Sequence, residues 1–346
     1  MKNEIKRFMW IFLFTLIKEQ TAKGKKLTRI FHSVDAHGSN LVWKKYLNAA
    51  TAYKAEVVLL CGDLTGKAIV PIVKVKENEW FINPFGKEEH FYSKEKLGER
   101  LNALENQGYY SFETTKEEIA ELQHEPRKVE EIFARLMKER LEQWLEMVEE
   151  KIPKGVKVVV MPGNDDITEI DEVIKAHEDK IIYPLKKVVY IDDVHSIISC
   201  EYVNPTPWDT PREADEQDIM KMLEKEFSRV DAKEQKHLIC NFHAPPYDTR
   251  LDLAPKLDKK LNVVTGFGGS PEMVHVGSKS VKAFIEKHQP KLGLHGHIHE
   301  AAADQKVGRT VVVNPGSDYQ AGVLRGYVVD LTSVAEDEIK VWRVEG

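Results

Sequence analysis

Pro290-Lys291-Leu292-Gly293-Leu294-His295-Gly296-His297-Ile298-His299-Glu300 runs from a short apolar segment into a pair of histidines two positions apart. In extended backbone, residues i and i+2 point to the same side, so His297 and His299 are expected to reach one point together at the end of a buried strand. Four earlier segments repeat the arrangement. Thr28-Arg29-Ile30-Phe31-His32-Ser33-Val34 leads into Asp35-Ala36-His37-Gly38, and Val57-Val58-Leu59-Leu60-Cys61 leads into Gly62-Asp63-Leu64. Val158-Val159-Val160-Met161 leads into Pro162-Gly163-Asn164-Asp165-Asp166, and His237-Leu238-Ile239-Cys240-Asn241 into Phe242-His243-Ala244-Pro245-Pro246. Short apolar runs closed by Gly or Pro read as buried strands. Open α/β sheets place their sites at the carboxyl ends of such strands. The expected fold class is therefore α/β, with its chemistry at the strand ends.

Each segment alone has an ordinary explanation. Asp-x-His arises by chance, Gly-Asp is usually a turn, Gly-Asn suits a left-handed turn, and a histidine before two prolines can be a plain loop residue. Their ordered recurrence at strand ends is what carries weight. Asp35, His37, Asp63, Asn164, His243, His297 and His299 offer carboxylate, imidazole and amide oxygen, a mixture suited to first-row divalent ions, with no choice among Mn, Fe, Zn and Ni. The set is too large for one ion and fits two that share a bridging carboxylate. Two ions roughly 3.5–4 Å apart form a clamp for in-line displacement at phosphorus. The expected activity is hydrolysis of a phosphate ester.

The ordered set resembles the calcineurin-like metallophosphoesterase superfamily, whose pattern is DxH, GD, GN, a solitary H and GHxH, over roughly residues 27–318. Gly277 to Glu300 is most similar to the small prokaryotic and archaeal phosphoesterases of uncharacterised type. The resemblance implies an α/β/β/α sandwich of two facing mixed sheets flanked by helices. It implies that Asp35, His37 and His299 hold a first metal, that Asp63 bridges, and that Asn164, His243 and His297 hold a second. It also gives Asn164, Asp165 and His243 the catalytic positions. Many members read GNH[DE] at the asparagine, and here the histidine is replaced by Asp165. A carboxyl with a reference pKa near ~3.9 is a poor substitute acid. Its loss weighs most on poor leaving groups, so phosphodiesters are expected over monoesters. Alternatives are a phosphomonoesterase or nuclease of the same superfamily, and a metal-bearing scaffold with vestigial catalysis. The unassigned histidines are His275, His32 and His195, with His275 the first suspect for a replacement acid.

A long stretch separates Asp63 from Asn164, and residues 67–150 are read as an inserted hairpin plus helical cap. Ile69–Val75 and Glu79–Ile82 make the hairpin, Thr115-x-x-Glu118 is a capping box, and Pro126 suits a helix start. Ile132, Phe133, Leu136, Leu141, Trp144, Leu145 and Val148 follow helical spacing. Beyond the metal loops, Trp208 and Arg212 in the proline-rich loop Asn204–Glu213 are expected to meet an organic group and a phosphate, with His275 a third substrate contact.

With 346 residues, 42% of them hydrophobic, the chain has ample material for a core. A formal net charge of −6 implies no broad basic surface and makes nucleic acid an unexpected partner. Cys61, Cys200 and Cys240 sit in apolar runs without a CxxC and read as buried thiols in a reducing cytoplasm. Phe8 to Ile17 is apolar but short of the ~20 residues needed to span a bilayer. Residues 1–24 are read as an apolar helix or extension, with membrane contact through residues 8–17 or a start-site extension as alternatives, and 25–346 as the phosphoesterase domain. Self-association would run through the cap or this N-terminal helix.

Overall fold

The computed structural model describes residues 27–266, 268–332 and 339–346. The segment expected as an N-terminal helix or extension lies outside the described residues. The chain begins with β1 (Leu27–Ser33), α1 (Asn40–Ala52) and β2 (Val57–Cys61). There follow β3 (Ala68–Lys76), β4 (Glu79–Ile82), β5 (Glu89–Phe91), α2 (Lys94–Glu105), β6 (Tyr109–Thr114) and α3 (Lys116–Leu122). Next come α4 (Pro126–Lys151), β7 (Lys157–Met161) and α5 (Ile170–Ala176). The second half holds β8 (Val189–Tyr190), β9 (Ser196–Cys200), α6 (Glu216–Phe227), β10 (Ile239–Phe242), β11 (Leu253–Pro255) and β12 (Met273–His275). It closes with α7 (Lys279–His288), β13 (Leu292–Leu294), β14 (Ala303–Val307), β15 (Thr310–Asn314), β16 (Arg325–Thr332) and β17 (Ile339–Glu345).

Two mixed sheets form the body, in the strand orders β17-β16-β1-β2-β7 and β14-β15-β13-β10-β9-β8. β1, β2 and β7 are parallel, as are β9, β10, β13 and β15, with antiparallel strands only toward the edges. Period-two alternation sorts the second sheet. Ile197, Ile239, Leu292, Leu294, Val311 and Val313 join the first sheet's core, whereas Ile198, Cys200, Cys240, Phe242 and Val312 pack with Leu223 and Phe284 of the flanking helices. Two sheets therefore face each other with helices outside, an α/β/β/α arrangement. Every residue of β2, VVLLC, is buried, as a parallel strand covered on both faces requires. All three cysteines are buried and free. No described helix is long and apolar enough to cross a membrane.

Between β2 and β7 the chain builds a separate sheet, β5-β4-β3-β6. Val70, Ile72, Trp80, Ile82, Leu97 and Leu104 give it a small core of its own. The capping box of Thr115 and Glu118 starts α3 as expected. Helix α4, however, belongs by packing to the main body: Leu136, Leu141, Trp144, Leu145 and Val148 lie in the large core, and the Trp144 ring stacks on Trp43 at 4.9 Å. Among the aromatics of this insertion Trp80 and Tyr110 are buried, while Phe85 and Tyr92 are exposed.

Candidate metal centre

The loops after β1, β2, β7, β10 and β13 meet at one end of the facing sheets. Asp35 and His37 were expected to share a side because of the strand pleat. They do share a pocket, but β1 ends at Ser33 and both residues have left-handed backbone, φ 54° and 41°. Asp63 (φ 47°) and His297 (φ 68°) do the same. Left-handed conformations cost a non-glycine residue of order 1–3 kcal/mol each and gather at functional sites. The loops curl back over the sheet end, and the carboxyl and imidazole groups are aimed by turns and not by a pleat.

Two overlapping clusters result. Asp35, His37, Asp63 and His299 each bring a ligand atom within 4.8 Å of the others, and so do Asp63, His243 and His297. Asp63 belongs to both. His37 Nε2 and His299 Nε2 face each other at 3.0 Å, and His37 Nε2 lies 3.7 Å from Asp63 Oδ2. On the other side His243 Nε2 is 3.4 Å from Asp63 Oδ1 and 3.1 Å from the amide oxygen of Asn164. The Asn164 oxygen is turned inward because its Nδ2 donates to Thr210 Oγ1 at 3.0 Å.

The electrostatics suit a cation. Burial is the first cause that pushes His297 down to about 3 and His299 to about 4, and it also holds His37 well below the ordinary imidazole range. These rings are neutral with lone pairs available, the state a metal ligand requires. For His243 burial also lowers the value, but the carboxylates of Asp63, Asp35 and Asp166 outweigh it and push it up to about 9. Asp35 Oδ1 is buried and has no hydrogen-bond partner among the described residues. A buried carboxylate oxygen left so is rare in proteins, and one beside convergent imidazoles fits a centre that takes divalent ions.

Neighbouring groups hold the loops in register. Asp166, fully buried, accepts from the backbone N–H groups of Leu64, Thr65 and Gly163 and from Thr65 Oγ1, buckling the β2 and β7 loops together. A Cβ on Gly62 would stand 1.9 Å from His243 Nδ1, and the φ of +105° there also demands glycine. The extra sheet is bolted to the same loops. Tyr110 Oη accepts from Gly66 N at 2.9 Å, and a Cβ on Gly108 would meet the His37 carbonyl at 2.1 Å.

A cleft of about 1150 Å³ opens from this centre and is lined by Asp63, Lys67, Asn164, Asp165, His297 and His299 at one end and by Trp208, Tyr247, Val263 and His275 further out. Lys67, which motif reading overlooked, ion-pairs with Asp165. The only signal for it was its place on the loop after Gly62-Asp63. Burial and Asp63 raise Asp165 to about 6, against the opposing pull of Lys67. Trp208 and His275 stand in the cleft as expected. Arg212 does not: it is 2% exposed, and its guanidinium donates to the carbonyls of Asp166 and Ile167 and to Asp171. The contact with Asp171 captures it for structure. His32 is buried against the His295 carbonyl and His195 is paired with Asp192, so neither reaches the cleft. His275 is held by the buried Asp252 at 2.7 Å.

A sequence profile described as calcineurin-like phosphoesterase matches residues 127–301. That span holds Asn164, His243, His297 and His299; Asp35, His37 and Asp63 lie before it, beyond the extra sheet, and enter the site through the fold. An uncharacterized protein of Methanocaldococcus jannaschii is 32% identical over 162 residues, 46% of this chain, and the match spans 64% of that relative's length. Among solved structures, one with 16% identity superposes at a TM-score of 0.53 over 92% of this chain and 99% of its own. Another, from Thermus thermophilus, gives 0.47 at 12% identity over 92% and 99%.

Proposed function

This chain belongs to the calcineurin-like phosphoesterase family, and on that footing we propose that it hydrolyses a phosphodiester at two divalent ions sharing Asp63. The observation that carries the reading is the presence of Asp63 in both donor clusters. Asp35, His37 and His299 would complete the first site, and Asn164, His243 and His297 the second. Bound there, divalent ions supply Lewis acidity, making water nucleophilic at neutral pH and neutralising phosphoryl charge.

The protein's own groups set the preference for substrate. Lys67 brings an ammonium to the phosphate end of the cleft, and Asp165 holds it. It offsets charge developing on the phosphoryl oxygens, as preorganised donors do. No imidazole sits at the position of Asp165, so departure of a strongly basic alkoxide receives little help. Diesters with good leaving groups are therefore favoured. The full set of donors speaks against vestigial catalysis.

The test is hydrolysis by protein stripped with chelator and reloaded with Mn²⁺. Bis-p-nitrophenyl phosphate should turn over faster than glycerol phosphate by a factor of ten or more, roughly 1.4 kcal/mol in barrier. Asp165→His should raise the rate on glycerol phosphate more than on the aryl diester. A wild type that already prefers the alkyl monoester defeats the diester assignment, and metal-independent turnover defeats the whole reading.

A further inference from the structure

Lys67 lies where the main body hands the chain over to the extra sheet. On the body side, Leu64 N and Thr65 N donate to the buried Asp166 carboxylate at 2.9 and 2.8 Å. On the other side, β3 starts at Ala68 and runs parallel to β6 from that first residue, with Ala68 opposite Tyr109 and Ile69 opposite Tyr110. Between the two, Gly66 N donates to Tyr110 Oη at 2.9 Å, a buried contact. The residues on either side of Lys67 are therefore held by the insertion and not by the sheets that carry the candidate metal ligands.

Tyr110 is itself fixed. Its ring meets Phe133 edge-on at 5.8 Å and lies 5.1 Å below the Arg140 guanidinium, which donates to the Gly38 carbonyl at 3.0 Å. The backbones pack closely at the same point: a Cβ on Gly66 would stand 2.0 Å from the Gly108 carbonyl oxygen, at the turn between α2 and β6. Only glycine permits that approach. This rigidity matters because the Lys67 side chain is half exposed and lysine carries a flexible four-carbon stem. Asp165 holds the ammonium tip, but the stem needs a fixed origin. A donor that offsets developing charge works by being in place beforehand. Misplacing such a group by about 1 Å costs up to about a hundredfold in rate.

We propose that the extra sheet serves the reaction through Tyr110, a positioning residue whose hydroxyl sets where Lys67 stands against the phosphate. This rests on the role given to Lys67 in the hydrolytic reading, and the test separates the two. Tyr110→Phe keeps the ring and isolates the hydroxyl. With bis-p-nitrophenyl phosphate and Mn²⁺-loaded protein, Lys67→Met should lower kcat about a hundredfold, the scale of one preorganised donor. Tyr110→Phe should lower it about tenfold, with KM changing less, as a misplaced group does. Both variants should keep the wild-type count of bound ions. In the Lys67→Met background the Tyr110 change should cost less than about twofold, because no ammonium remains to be placed. Binding of inorganic phosphate, followed by calorimetry on the same four proteins, should show this coupling without turnover. Losses that multiply in the double variant, an ion shed by Tyr110→Phe, or wild-type kcat and phosphate affinity in Tyr110→Phe would each overturn the proposal. Phosphate binding indifferent to Lys67 would overturn it too. Coupled phosphate binding in protein that hydrolyses no ester supports the proposal and counts against the hydrolytic reading alone.

Discussion

Asp63 carries the greatest demand of any residue here, because its two carboxylate oxygens face different histidines, Oδ2 toward His37 and Oδ1 toward His243. Asp63→Asn removes the negative charge where two dications would repel. It should leave at most one ion per chain by elemental analysis and reduce hydrolysis to near background; two retained ions would refute the shared role. A second prediction concerns stability. Asp192 lies below the ordinary carboxylate range: burial opposes this, but His195, Thr28 and the N–H groups of His195 and Val194 donate to it and win. A depressed folded-state pKa contributes stability that is present above the unfolded value, near ~3.9, and is lost as pH falls through the folded value. Asp192→Asn should cost about 2 kcal/mol in urea unfolding at pH 7, the scale of charged hydrogen bonds, and the gap from wild type should narrow as pH drops below 4. A gap constant with pH would contradict the assignment. The candidate ligands that the structure brings together could be picked out because each lies within a few residues of the end of an apolar run, with Gly or Pro close by. Lys67 was not, since a lysine in a polar loop has no pattern, and Arg212 was misread because nothing local signals that Asp171 will bury it.

At the scale of elements, helix α4 sorts the insertion from the body. Trp144 lies in the main core, stacks on Trp43 and donates to Asn40 Oδ1 at 2.7 Å, at the start of α1. Trp144→Ala should therefore destabilise the whole protein by about 3–5 kcal/mol in urea unfolding, as truncation of a large core aromatic does. A loss below about 1 kcal/mol would mean that α4 is peripheral. The helical periodicity of α4 was readable in the sequence, and so was the hairpin of β3 and β4. The body to which α4 adheres was not, because amphipathic spacing says that a helix has an apolar face but not which surface covers it. The strand ends were likewise readable, but the loop conformations were not: four candidate ligand residues adopt left-handed backbone that side-chain type does not announce.

For the molecule as a whole, the order of strands in two sheets carries Asp35 and His299, distant in sequence, into one cluster, and the fold brings Asp35, His37 and Asp63, which lie outside the profile match over 127–301, beside the candidate ligands within it. The central claim is that two ions, joined through Asp63, are needed together. Metal-stripped protein titrated with Mn²⁺, with bound ions counted and bis-p-nitrophenyl phosphate hydrolysis followed in the same samples, tests it most directly. Activity should stay low up to one ion per chain and rise to its plateau as the second binds. Full activity at one ion per chain, or with none, would contradict it.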